Sequence, residues 1–439
     1  MNATSQSTAL LTALHFTVDC LCACCVFMVA DGLELFVLYN ILAFLTQPLT
    51  GLMVDRGKHG ERYLLASLCL LELGGMLCLA GGGWELPALA YLAVMCVGMG
   101  NSLFHVYGGR SVAVSTGNDM RHLGIFVSSG ALGLLLGGMC DSALSLAAIM
   151  LILALLGITL YRSCPLQALT VSSLAPTEKG GGENGRAKAN DNGTMEEGAG
   201  IALLAFMMLL VFFRSFSGQM IPQTSNLALV TVLTVVLTFA GKSLGGFLGQ
   251  RFGAWRTLCS SLLLAGLCLL AVDLHVGFVL GMVVCVNLTM PLTLHLANHS
   301  LPGREGLAFG LLAATLLPGY ALGNLCTENE LAQVLLYGLV ATIVIEALVL
   351  LAMNERRWTV LAMSVVMNIL TNVPLNLAVQ TIPTLGDTLP SQLGLEAIVL
   401  VVESGLYYLI LRNLRTAFTY ALLCNGISYL IGLLFTLMI

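Results

Sequence analysis

Along the chain, stretches of about twenty apolar residues alternate with short polar breaks, the length a helix needs to cross a bilayer. Windows of that length give twelve candidate helices between Thr8 and Met353 and three more between Trp358 and Ile439. Each stretch is apolar throughout, not at every second position, so spanning helices are expected and barrel strands are not. One break is long. Ser163 to Ala199 contains EKGGGENGRAKANDNGTMEEG, too rich in glycine, asparagine and charge to bury a core. The expected organisation is therefore a six-helix bundle over 8–162, a flexible cytoplasmic linker over 163–199, a second six-helix bundle over 200–353 and an accessory three-helix segment over 358–439.

Composition agrees: 58% of the 439 residues are hydrophobic and only 9% are charged, which excludes an ordinary soluble domain. Charge placement adds orientation. With fifteen spans and the N-terminus inside, every Lys and Arg except Arg214 and Lys242 falls in an inner break. Asp31, Glu34, Glu85, Asp141, Asp273, Glu328, Glu330 and Asp387 fall in outer ones. That bias implies a multi-pass protein of the plasma membrane, N-terminus cytoplasmic and C-terminus outside. The uncharged opening MNATSQS runs straight into the first helix, which is expected to be retained. The fourteen cysteines are scattered through apolar stretches, so neither a disulfide framework nor a zinc site is suggested. Nothing resembles a nucleotide-binding loop. No cofactor, metal or nucleic-acid partner is expected, and the chain reads as a monomer in the lipid bilayer.

The two halves echo each other. Gly51-Leu52-Met53-Val54-Asp55-Arg56 and Gly60-Glu61-Arg62 follow the second helix, and Gly246-Phe247-Leu248-Gly249-Gln250-Arg251 and Gly253-Ala254-Trp255-Arg256 follow the eighth. Arg121-His122-Leu123-Gly124-Ile125-Phe126 is echoed by Arg304-Glu305-Gly306-Leu307-Ala308-Phe309. Two parallel six-helix halves joined by a long inner loop are the plan of rocking transporters. The stretch GLMVDRGKHGER resembles the loop signature of the major facilitator superfamily, and GGFLGQRFGAWR looks like its second-half copy. Gly100-Asn101-Ser102-Leu103-Phe104-His105, closed by Arg110, is similar to the fourth helix of the fosmidomycin-resistance branch, with Val106 where that branch has a proline. Gly133-Leu134-Leu135-Leu136-Gly137-Gly138 resembles the superfamily's antiporter signature, with Leu134 at the expected proline. The resemblance implies alternating access by a secondary transporter, with proton-coupled efflux or antiport of a small molecule.

Candidate chemistry lies in the few ionisable groups inside apolar stretches, where a charge costs about 3 kcal/mol and usually faces a cavity or a partner. Asp19, midway along the first helix, is a proton-coupling candidate, with His15 one turn before it on the same face. Glu72 is a second. Arg214 offers a planar fork for carboxylate or phosphate, or an ion pair with Asp19. The resemblance has the first, fourth, seventh and tenth helices lining the cavity, and so gathers His15, Asn101, His105, Arg214, His295 and Asn298 with Asp19. Lys242 is expected to snorkel toward the inner face. Asp55 and Arg56, with Arg62 and Arg251, are inner-gate candidates.

The run LHFTVDCLCACC also puts Cys20 and Cys24 on one face, but two thiols fall short of a closed metal site, so packing is the expected role. In the last three helices, Glu396 and Glu403 share a face with Asn368, Asn372, Asn376 and Asn425 available, and helix-joining hydrogen bonds are expected there. Two alternatives remain from other classes: a membrane-embedded sensor or enzyme whose active part is this segment, and a lipid flippase.

Overall fold

The computed structural model describes residues 3–29, 33–57, 59–81, 87–163, 192–220, 228–272, 274–327, 330–355, 357–381 and 388–438. Most of the expected linker, together with Asp31, Lys58, Glu85, Lys179, Arg186, Lys188, Asp273, Glu328, Arg356 and Asp387, lies outside the described residues. Among them the regular elements are helical: α1 (Ala3–Val29), α2 (Leu33–Asn40), α3 (Gln47–Arg56), α4 (Gly60–Gly81), α5 (Pro87–Thr116), α6 (Met120–Gly138), α7 (Ala143–Ser163), α8 (Asn192–Met220) and α9 (Ala228–Phe252). There follow α10 (Ala254–Leu270), α11 (Val276–Ser300), α12 (Glu305–Ala314), α13 (Leu316–Thr327), α14 (Glu330–Ala352), α15 (Trp358–Thr381), α16 (Leu389–Leu411) and α17 (Leu414–Met438). Ten described helices are long and apolar enough to cross a membrane. Helix α8 begins at Asn192, inside the stretch whose composition predicts linker.

The chain divides into two compact units, residues 1–261 with 283–323, and residues 262–282 with 324–439. These cut the sequence elsewhere than the expected boundaries near 162, 200 and 353.

In the first unit, helix approach is set by missing side chains. A Cβ on Gly133 would stand 2.2 Å from the Phe16 carbonyl oxygen, and one on Gly137 2.2 Å from that of Cys20. The run that resembles an antiporter signature is thus the seam that lets α6 lie directly on α1. The sequence echoes also pair crosswise. A Cβ on Gly51 would meet the Gly306 carbonyl at 2.4 Å, and one on Gly246 the Met120 carbonyl at 2.2 Å, so each loop motif packs on the first turn of a helix in the other half. The echoed rings match too: Phe126 and Phe309 press on the adjacent Gly108 and Gly109 of α5.

Two spans are broken. Residues Ile41–Leu45 wind as a π-helix between α2 and α3, ahead of Pro48, and Thr315 separates α12 from α13. Such interruptions stand in membranes where protein or a cavity satisfies the freed backbone, and the Leu316 carbonyl accepts Ser215 Oγ at 2.7 Å.

In the second unit, α14 to α17 pack around Val349, Leu350, Val360, Met367, Tyr407, Ala417, Ala421 and Cys424. Two buried carboxyls sit within it. Glu346 Oε2 accepts from Ser364 Oγ at 2.8 Å and Asn368 Nδ2 at 2.7 Å; Glu403 accepts from Thr371 Oγ1 at 2.8 Å and Asn425 Nδ2 at 2.5 Å. Asn372 donates to Thr342 Oγ1 at 3.0 Å. Glu396 makes none of these bonds, while Glu346, on α14, was not singled out by the spacing that marked Glu403.

Candidate functional site

A cavity of about 610 Å³ in the first unit is lined by His15, Asp19, Asn101, His105, Arg214 and Lys242 among apolar neighbours. Helix geometry gathers them. On α1, His15, Asp19, Ala23 and Val26 recur every three to four residues and share a face, as Asn101 and His105 do on α5. The broken span contributes Tyr39, Asn40, Phe44 and Gln47, all at or beside its π-helical turn.

At one wall the polar groups form a closed set. His15 Nδ1 lies 2.6 Å from the Phe126 carbonyl, and His105 Nδ1 lies 3.0 Å from the Asn101 carbonyl. A carbonyl only accepts, so both Nδ1 atoms carry hydrogen and both neutral rings present a bare lone pair at Nε2. Those Nε2 atoms face each other at 2.9 Å. Two lone pairs at that distance repel, so a proton or another cation must lie between them. Asp19 supplies the balancing charge: Oδ2 is 3.4 Å from His15 Nε2 and Oδ1 is 3.4 Å from His105 Nε2. Asn101 Nδ2 donates to the same Oδ1 at 3.4 Å and to the Tyr39 hydroxyl at 3.1 Å. Asp19 and His15 are only 6% and 4% exposed, and a Cβ on Gly130 would fall 2.1 Å from Asp19 Oδ2. The absence of a side chain there makes room for the carboxylate.

The other cavity-lining charges are basic. Among the described residues neither Arg214 nor Lys242 forms an ion pair, and Arg214 Nη1 is enclosed with no hydrogen-bond partner. The alternative that Arg214 is permanently paired with Asp19 is therefore not what the geometry shows. Lys242, read as a snorkelling residue, lines the cavity instead; its place one turn beyond Thr238 on the inward face of α9 was the missed signal.

Other candidates lie elsewhere. His295 and Asn298 do not line the cavity: His295 Nδ1 donates to the Asn118 carbonyl at 2.8 Å, and Asn298 Nδ2 donates to Asn118 Oδ1 at 2.9 Å. Asn118 reaches them from a turn with Gly117 in which both residues have φ of 62°, a conformation that glycine and asparagine tolerate. Asp55 is held by groups other than the arginines expected beside it. Its carboxylate accepts from Arg110 Nε at 2.9 Å and from the Gly306 and Leu307 amides at 2.9 and 2.7 Å, at the positive end of α12. Arg56, Arg62 and Arg251 are exposed, and none forms an ion pair with it. Glu72 lies outside the cavity lining, with Oε1 buried and unpartnered. The cysteines Cys20, Cys22, Cys24 and Cys25 are buried; Cys24 donates to the Cys140 carbonyl at 3.3 Å.

No protein-family model matches the sequence, and no curated protein sequence does. Solved structures do. The E. coli fucose:proton symporter superposes with a TM-score of 0.53 at 14% identity, over 77% of this chain and 98% of that one. A second structure of that transporter, in the outward conformation, gives 0.51 at 13% identity over 73% of this chain and 91% of that one. An outward-facing bacterial homologue of the iron transporter ferroportin gives 0.46 at 15% identity over 75% and 92%, too low for its cargo to bear on this chain. With its multi-pass helices and internal repeat, the chain has the fold of major facilitator superfamily transporters.

Proposed function

We propose that the protein is a secondary active transporter that moves a small solute bearing an anionic group by alternating access. One observation carries the reading: a partly buried guanidinium with an unpartnered Nη1, joined by Lys242, faces a cavity of about 610 Å³ with no carboxylate among the described residues within ion-pair distance of either. A free cation inside an apolar span is costly, and an arriving carboxylate or phosphate would offset that cost with charge-assisted hydrogen bonds. The shared fold with a fucose:proton symporter supports gradient-driven movement of a small solute, while the identity is too low for the sugar to carry over. The crosswise seams at Gly51 and Gly246, with the Asp55 contact, supply surfaces that could part when the cavity changes side.

Ligand-induced thermal stabilisation of the purified chain tests this, using monocarboxylates, dicarboxylates, organic phosphates, neutral sugars and amines, followed by counterflow of the best ligand in proteoliposomes. At least one anion is expected to raise the melting midpoint and to exchange across the membrane. Arg214→Gln, folded with a wild-type midpoint when unliganded, is expected to lose both. Stabilisation by sugars or amines alone, or an anion response that survives Arg214→Gln, would sink the reading.

A further inference from the structure

We propose that His15, Asp19 and His105 form a binding site for a divalent first-row transition metal ion, open to the cavity on one side. The three side chains offer one ligand atom each within 4.8 Å of one another. Donors about 2.1 Å from one ion lie about 3.0 Å apart at right angles and about 3.4 Å apart at the tetrahedral angle. The edges here are 2.9 Å between the imidazoles and 3.4 Å from each to the carboxylate. They describe one face of a coordination shell.

The surroundings match what such ligands require. A metal-ligating imidazole donates its other N–H to a fixed acceptor, which sets the tautomer and aims the ring. Both rings do so here, His15 to the Phe126 carbonyl and His105 to the Asn101 carbonyl, and His15 is further stacked on the Phe126 ring at 4.6 Å. Asn101 orients the carboxylate. The feature left unexplained by packing, two imidazole nitrogens 2.9 Å apart whose rings both give their Nδ1 hydrogen to a carbonyl, calls for a shared cation, and a metal ion bonded to both supplies one as a proton would.

Imidazole and carboxylate together favour ions such as Zn²⁺, Co²⁺, Ni²⁺ or Mn²⁺ over the softer ions that thiolates select. The thiols of Cys20 and Cys24, on the same helix, are not in the set. One carboxylate and two neutral imidazoles leave a bound dication with net positive charge, and Arg214 and Lys242 face the same cavity. The remaining coordination positions open toward that space, so an anion would be held by the ion and the two side chains at once. The metal site itself stands whether or not Arg214 binds an anion.

The test uses the full chain in detergent, freed of any polyhistidine tag and stripped with a chelator, titrated with CoCl₂ and followed by visible absorption and calorimetry. One equivalent of Co²⁺ is expected to bind, with ligand-field bands of nitrogen and oxygen donors and without the near-ultraviolet band of a thiolate bond. Zn²⁺ is expected to displace it. His105→Gln and His15→Gln, checked for wild-type melting midpoints, are each expected to weaken binding at least a hundredfold. The Cys20→Ser/Cys24→Ser double variant and Arg214→Gln are expected to retain it. The proposal is overturned by the absence of saturable Co²⁺ binding, by unchanged affinity in either folded histidine variant, or by loss of binding in the double cysteine variant.

Discussion

The two units each bury carboxyl groups at membrane depth, and they treat them in opposite ways. In the α14–α17 bundle, Glu346 and Glu403 each receive two hydrogen bonds from neutral hydroxyl and amide donors on neighbouring helices. In the first unit, Asp19 faces two imidazoles whose own lone pairs collide, and the cavity beyond it holds a guanidinium nitrogen with no partner. The bundle's polar contacts join helices at about 0.6–2 kcal/mol apiece, although Glu346 Oε1 is left without a partner. Around Asp19, by contrast, two imidazole Nε2 atoms lie 2.9 Å apart, and the cavity they line also holds Arg214 and Lys242 without an ion-pair partner among the described residues. Neither buried charge nor a missing partner alone sets a residue apart, since Glu346 Oε1 and Glu72 Oε1 are also enclosed without one; what distinguishes Asp19 is that it lines a cavity with two imidazoles beside it.

The contrast can be broken most severely at Gly130. Adding a methyl group in Gly130→Ala places carbon 2.1 Å from Asp19 Oδ2 and 2.8 Å from His15 Nε2, so the triad cannot keep its shape. Flux in proteoliposomes is expected to fall at least a hundredfold in protein that still folds, and activity near wild type would show that the close approach is not needed. A smaller effect, of a different kind, is expected in the bundle. Glu403→Ala removes the acceptor that ties Thr371 and Asn425 across helices and leaves them the Met367 and Ala421 carbonyls of their own helices, for a loss of about 0.5–1.5 kcal/mol of stability, read as a lower melting midpoint. Flux per folded molecule should be unchanged, and a loss of flux there would move function into the second unit.

The smallest effect is at the bundle's rim. Arg357 beside Glu355 holds that carboxyl at about 2, below its ordinary 4.5, and Tyr420 also donates to it at 3.0 Å. A depressed carboxyl stabilises the fold above its ordinary pKa and loses that contribution as pH falls toward the folded value. Glu355→Gln should therefore melt slightly below wild type at pH 6, with the gap narrowing as pH drops from about 4.5 toward 2. A gap that stays constant across that range would remove the ion pair from the account.

Apolar periodicity made the helical membrane fold readable, because satisfying backbone groups in lipid leaves few alternatives. The charge-in-lipid rule likewise picked out Asp19 and Arg214, and the four-residue spacing attached His15 to the first of them. What spacing could not convey was convergence from other helices. His105 comes within 3.4 Å of Asp19, whereas His295, one turn before His299 on a helix assigned to the same cavity, turns to Asn118 instead. Arg110 was counted as a loop charge and is 6% exposed against Asp55. Glycine was the most under-read residue. Gly133 and Gly137 looked like part of a family signature and Gly130 was not read at all, while the physical role of all three is to bring α6 into contact with α1.

The crosswise packing of the repeats has one further consequence. The two seams are alike in backbone, Gly51 on Gly306 and Gly246 on Met120, but the repeat is not kept where it would matter electrically. Asp55 in the first motif corresponds to Gln250 in the second, which is exposed. Parting one seam breaks the two charge-assisted hydrogen bonds that the Gly306 and Leu307 amides give the Asp55 carboxylate, each worth about 1.5–3 kcal/mol, while Arg110 stays with it in the same half; at the other, the corresponding residue holds no carboxylate to release. The duplicated backbone thus carries an electrical asymmetry, a carboxylate clasp on one seam and none at the matching position of the other.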